Sequence, residues 1–75
     1  MFDKIKEILI SELQVDEDLI TMDAALSSDL GVNSLELAEL VLVVEDKLNI
    51  EINEDDLHTF ITVGDVVNYL ENLDK

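Results

Sequence analysis

The chain has 75 residues, fewer than the roughly 100–200 of a typical domain, so one small domain over residues 1–75 is the most it can form. Four Lys, no Arg and nineteen acidic residues give a net charge of −15, which repels phosphate backbones and anionic membrane surfaces and argues against nucleic-acid binding. With 48 % hydrophobic residues the chain is still too apolar for a disordered acidic tail, and it is expected to fold.

Cysteine is absent, which removes disulfides, thiolate metal sites and cysteine nucleophiles together and suits a reducing cytosol. The first residues interrupt their apolar positions with Asp3, Lys4, Lys6 and Glu7, unlike a signal peptide. The longest apolar run, residues 40–44, is far shorter than the ~20 residues that span a bilayer. A soluble, cytoplasmic, monomeric protein without membrane insertion is expected.

The first predicted element is a helix over Phe2–Leu13, where Phe2, Ile5, Ile8, Leu9 and Leu13 recur at the spacing of one helical face. Residues 15–33 show no sustained period and read as a long loop that Leu19, Ile20, Leu26 and Leu30 pin to the core. So long a loop in so small a domain points to function, and its far end is the place to look for a site. That end, Asp29-Leu30-Gly31-Val32-Asn33-Ser34-Leu35-Glu36, leads into the strongest predicted helix, Ser34–Leu48. Asn33 is a good N-cap, and Glu36 stands at the spacing that completes a capping box.

On a helical wheel Leu37, Leu40, Val41, Val44 and Leu48 gather on a core face. Leu35, Ala38 and Leu42 form a second apolar stripe bordered by Glu36, Glu39 and Asp46, more than the fold alone requires. Residues 54–60 predict a short helix presenting Leu57 and Phe60. Thr62 and Asp65 then form a second capping-box pattern, opening a last helix lined by Val63, Val66, Val67, Leu70 and Leu73. The predicted fold is all-α: a small four-helix bundle of three main helices and one short helix, with a long first loop.

Catalytic chemistry finds little support. A single histidine, no cysteine, no phosphate loop and no zinc spacing leave only carboxylates, too many and too exposed to single out a pair, so no catalytic residue is assigned. His58 reads as an ordinary surface residue. Residues 16–21 lack the fifth-position ligand and the glycine of an EF-hand, so no metal site is assigned. Ser34 is different. Asn33 supplies the cap, which leaves the Ser34 hydroxyl free at an exposed loop–helix junction, where unpaired N–H groups and the positive end of the helix dipole favour an attached anion such as a phosphodiester. With no base nearby to activate it, Ser34 reads as a modification site served by another enzyme.

The stretch from Asp29 to Leu35 resembles the phosphopantetheine attachment motif of acyl carrier proteins, and the order of helices is similar to that family over essentially the whole chain. The resemblance implies a non-catalytic carrier with 4′-phosphopantetheine on Ser34, holding acyl intermediates as thioesters for fatty-acid or related biosynthetic enzymes. It also implies that Leu35, Glu36, Glu39, Leu42, Glu45 and Asp46 meet basic docking surfaces on a phosphopantetheinyl transferase and on acyl-handling enzymes. Acyl chains would fold back beside Leu37, Leu40, Val41 and Val44, toward the segments around Ile52 and Ile61. One residue departs from the family pattern: Asn33 stands where an Asp usually precedes the serine, which keeps the cap but removes a carboxylate suited to Mg²⁺. Within the family, polyketide, aminoacyl and D-alanyl carriers remain open. Outside it, a small acidic inhibitor or immunity-type protein would also explain the charge.

Between Lys6 and Lys47 there is no basic residue, while eleven of the nineteen acids lie there. Such self-repulsion destabilises the compact state and is relieved by counterions. Millimolar Mg²⁺ or Ca²⁺ should therefore raise Tm in a thermal scan, and an unchanged Tm would remove self-repulsion as a destabilising force.

Overall fold

Helix periodicity decides the layout of the chain. A computed structural model describes residues 1–73. In chain order it contains α1 (Phe2–Leu13), a one-turn 3-10 helix (Glu17–Leu19), α2 (Ser34–Leu48), a 3-10 helix (Glu54–Thr59) and α3 (Val63–Leu73). The described residues contain no strand, only an isolated bridge between Ala25 and Thr62. The all-α bundle of three long helices and a short one is thus observed, with the predicted bounds of α1 and α2.

On α1, Ile5, Ile8 and Leu9 are buried and Phe2 and Leu13 half-buried, as their spacing requires. The helix packs against both α2 and α3. It ends at Gln14 in a left-handed conformation, with the Val15 N–H closing onto Leu9 O at 3.2 Å and the Val15 side chain buried beneath the turn. On α2 the core is held by Leu40, Val41 and Val44, while Leu37 and Leu48 are half-buried at its margins. Burying several such side chains, at roughly 1.5–3 kcal/mol each, is the main force available to so small a domain.

The 15–33 segment is a long connection, yet an ordered one. Ile20 and Leu26 are buried and Leu30 half-buried, as expected, but Leu19 is 50 % exposed. It closes a single 3-10 turn capped by Asp16, and the anchoring falls instead to Val15, Ala24 and Val32. Backbone bonds then tie the segment to the start of α3. Leu26 N–H donates to Ile61 O (2.9 Å), Val63 N–H to Ala24 O (3.0 Å) and Gly64 N–H to Met22 O (2.8 Å).

The short helix expected at 54–60 is a 3-10 helix that ends at Thr59. Asn53 caps it by accepting from Asp55 N–H, and none of its residues is fully buried, so little packing favours continuing it. Phe60, just beyond, is buried. The α3 capping box is formed: Asp65 N–H donates to Thr62 Oγ1 at 3.1 Å, and Asp65 Oδ2 accepts from the N–H groups of Thr62 (3.0 Å) and Ile61 (3.1 Å). Val63, Val66, Val67 and Leu70 are buried on the expected face, whereas Leu73 is 44 % exposed.

A Cβ on Gly64 would stand 2.8 Å from Met22 O, a backbone atom already engaged by the Gly64 N–H. Gly64→Ala should lower Tm by about 5 °C or more, the effect of roughly 1 kcal/mol in a domain of this size, despite the better helix propensity of alanine. An unchanged Tm would mean that the loop yields freely. A second expectation concerns acid. The Thr62 backbone N–H, above all, holds the Asp65 carboxyl below its ordinary value of 3.8, against the opposing effect of burial, with the Ile61 N–H and the Thr62 hydroxyl assisting. A lowered folded-state value means that the stabilisation is complete above the unfolded value and is lost as pH falls through the folded one. Asp65→Asn should therefore lower Tm at neutral pH, with the gap to the parent narrowing below 3.8. A gap constant over the whole acid range would assign the effect to shape rather than charge.

Candidate functional site

The loop carries its own hydrogen bonds up to the α2 junction. Asp29 Oδ2 accepts from Ala25 N–H at 2.8 Å, Asp29 and Leu30 N–H return to Ala25 O, and Val32 N–H donates to Leu26 O at 2.8 Å. Between these bonds Gly31 takes φ +70°, a conformation that glycine reaches without strain. Val32 is buried, and its burial presents Asn33 and Ser34 at the surface.

The capping box at the junction is complete. Asn33 Oδ1 accepts from Glu36 N–H at 2.8 Å, and Glu36 Oε1 accepts from Asn33 N–H at 3.2 Å. Leu37 N–H makes the first intrahelical bond to Asn33 O. Ser34 is the first helical residue and is exposed, and its hydroxyl makes no hydrogen bond among the described residues. The opening N–H groups of Ser34 and Leu35 likewise have no protein acceptor there, so the positive end of α2 faces outward beside the hydroxyl. No histidine or carboxylate is bonded to Ser34, and the junction holds no preformed nucleophile–base pair.

Apolar surface surrounds the serine. Leu35 is 82 % exposed and Ile61 64 % exposed. A cleft of about 330 Å³ opens beside Ser34, walled by Leu26, Val32, Leu37, Phe60 and Ile61. Of the four positions expected to flank an acyl chain, Leu37 lines this cleft and Leu40, Val41 and Val44 lie in the core. Ile61 belongs to the cleft as well, and Ile52 to a second groove farther along α2.

The outward face of α2 is arranged as the wheel predicts. Leu42 is 65 % exposed, and Ala38, Glu39 and Asp46 are exposed beside it. Glu36 and Glu45 are half-buried, each with one oxygen engaged: Glu36 in the capping box, Glu45 through Oε2 to Ile52 N–H at 2.7 Å. The Glu45 bond spans seven residues and crosses from the helix to the next segment, a separation for which no local spacing rule exists. His58 is exposed, and no group of three or more potential metal ligands occurs among the described residues.

The family model described as "Phosphopantetheine attachment site" matches residues 3–70. The chain is 41 % identical over 75 residues to an acyl carrier protein of Campylobacter lari, covering 100 % of this chain and 97 % of that relative. It is 49 % identical over 70 residues to an acyl carrier protein of Clostridium perfringens, covering 93 % of this chain and 92 % of the other.

Proposed function

The chain belongs to the acyl carrier protein family, and from that premise we propose that Ser34 is the residue to which its 4′-phosphopantetheine is attached. When bound, that group supplies the terminal thiol on which acyl groups are carried as thioesters. The observation that carries the assignment is the exposed, unbonded Ser34 hydroxyl at the N-terminus of α2.

Each neighbouring residue has a part. Asn33 and Glu36 hold the first turn in shape, so the hydroxyl is presented in a fixed direction. The unpaired N–H groups of Ser34 and Leu35 favour a phosphodiester beside them. Leu37, Phe60 and Ile61 offer apolar cover along the cleft, where the first part of an acyl chain is sheltered. Among the described residues no base is hydrogen-bonded to the Ser34 hydroxyl, an arrangement that suits loading by a phosphopantetheinyl transferase and a carrier that is not itself the catalyst.

The recognition surface is the outward face of α2. Leu35 and Leu42 supply apolar contact, and Glu36, Glu39, Glu45 and Asp46 supply negative charge to basic grooves on the transferase and on the enzymes of fatty-acid synthesis. No helix among the described residues is long and apolar enough to cross a membrane. A cytoplasmic monomer is part of the same proposed reading. An acidic inhibitor would share the charge, but it leaves the Gly31-Val32-Asn33-Ser34-Leu35 junction without a purpose.

Intact mass after incubation with coenzyme A, Mg²⁺ and a phosphopantetheinyl transferase tests the assignment. The parent should gain one phosphopantetheinyl unit and Ser34→Ala none; gain on the variant, or no gain on the parent with several transferases, overturns it. Asn33→Asp should load faster than the parent with a generic transferase, because it restores a carboxylate beside the serine. Equal rates would show that carboxylate to be dispensable here.

A further inference from the structure

The peptide unit joining Asn33 to Ser34 has a reactivity of its own. Asparagine is a labile residue because the backbone nitrogen that follows it can attack its side-chain amide, and the attack is easiest where the next residue is small. The chain has five asparagines, at positions 33, 49, 53, 68 and 72, followed in turn by Ser, Ile, Glu, Tyr and Leu. Only Asn33 precedes a small residue.

Both reacting groups are accessible. Asn33 is exposed, and its side chain is engaged through Oδ1, which accepts from Glu36 N–H at 2.8 Å. The amide Nδ2, the group that must leave, makes no hydrogen bond among the described residues. The Ser34 N–H, in the first turn of α2, has no protein acceptor there, and the positive field of the helix terminus favours the deprotonated nitrogen that the attack needs. Asn33 itself lies outside the helix, with extended dihedrals of φ −89° and ψ −179°, so it can rotate about its Cα–C bond without unwinding α2. What restrains it is the capping box, whose two bonds must give way before Cγ meets the Ser34 nitrogen.

We propose that Asn33 is a site of spontaneous deamidation, metered by the opening of its capping box. With the box open, the Ser34 backbone nitrogen attacks Asn33 Cγ and gives up its proton, the Cγ–Nδ2 bond breaks, and ammonia departs from a five-membered imide. Water then opens the ring at one of its two carbonyl carbons. Addition at Cγ gives aspartate on an unaltered backbone; addition at the backbone carbonyl gives an isoaspartyl link, in which the chain runs on through the former side chain. Either way one water is taken up and one ammonia released. The aspartyl product keeps an oxygen for Glu36 N–H, and Asp caps about as well as Asn, so the first turn of α2 is held while a carboxylate is added beside the Ser34 hydroxyl. The isoaspartyl product puts one more carbon into the backbone inside the box and destroys the spacing on which the box depends. Ageing thus divides the chains into a form with a carboxylate beside a well-held serine and a form with a displaced one; what this does to loading rests on the reading of Ser34 as the attachment residue.

Peptide mapping by mass spectrometry, on the protein without its prosthetic group, tests the site separately from attachment at Ser34. Cleavage after lysine gives a 7–47 peptide whose only asparagine is Asn33 and a 48–75 peptide that holds the other four. During incubation in mildly alkaline buffer the first should gain about 1 Da in two chromatographic forms, one of them coeluting with the peptide from Asn33→Asp, while the second keeps its mass. Glu36→Ala, which removes one bond of the box, should react about fivefold faster, the factor expected from one hydrogen bond. Ser34→Val, whose branched side chain crowds the attacking nitrogen, should keep its mass over the time in which the parent is half converted. Ile5→Val, which loosens the buried core from α1, should react at the parent's rate. A 7–47 peptide that keeps its mass, an earlier gain on 48–75, or a rate in Glu36→Ala or Ser34→Val equal to the parent's would each overturn the proposal. Acceleration by Ile5→Val would overturn it too, by assigning the reaction to global unfolding rather than to the box.

Discussion

The close approach of the Met22–Leu26 backbone to the Ile61–Gly64 backbone is the constraint on which the site depends. Three main-chain hydrogen bonds across this contact, together with the glycine that permits it, turn a long connection without internal periodicity into a defined structure. Once Leu26 is fixed to Ile61, the Val32 N–H can close onto Leu26 O, and the junction from Gly31 to Ser34 has a fixed origin. The same contact sets the start of α3 and with it the position of Phe60 and Ile61 as one wall of the cleft beside the serine. Loop, cleft and the Ser34 junction are therefore one mechanical unit. Its order comes first from these backbone bonds, with the side chains of Asp29, Asn33 and Glu36 closing the turns.

Charge has to be reconciled with a core this small. The described residues contain one ion pair, Lys6 with Glu17 at 3.5 Å, and an exposed pair of this kind contributes only about 0–1 kcal/mol. Stability must come from the apolar residues of three helices and from the loop side chains packed beneath them. Several carboxylates nevertheless act within the fold. Asp29, Glu36, Glu45 and Asp65 each accept a backbone N–H that would otherwise lack a partner at a turn or helix end. A chain with so few basic residues thus uses several of its acids as main-chain acceptors. Glu39 and Asp46, on the outward face of α2, are exposed.

The sequence made the helices and their starts legible because those features obey local rules. The Asn33–Glu36 and Thr62–Asp65 boxes each depend on two residues three apart, and both are present as hydrogen-bonded pairs. The core face of α2 follows from periodicity alone. What escaped is what depends on distant partners. The order of the 15–33 connection rests on bonds to residues some forty positions later, so it reads as plain loop, and Leu19 looks like an anchor until the 3-10 turn rotates it outward. The exposed stripe of α2 and its capped start were legible from the wheel and the box spacing, but the Glu45 bond was not, because nothing in the intervening residues announces Ile52 N–H as its partner.

α2 divides its work by direction. Its inward side, through Leu40, Val41 and Val44, holds the bundle together; its N-terminus offers a hydroxyl and unpaired N–H groups; its outward side offers two leucines among acids. A helix used on all sides cannot be adjusted on one without effect on the others, unless the parts that must move are attached elsewhere. The 52–61 segment is fastened to α3 by the Tyr69–Asp56 bond and the Phe60–Tyr69 ring contact, to the 22–26 loop through the Ile61 carbonyl, and to α2 by the Glu45–Ile52 bond. The Ser34 hydroxyl accordingly takes its direction from the same capped turn that opens the core-bearing helix.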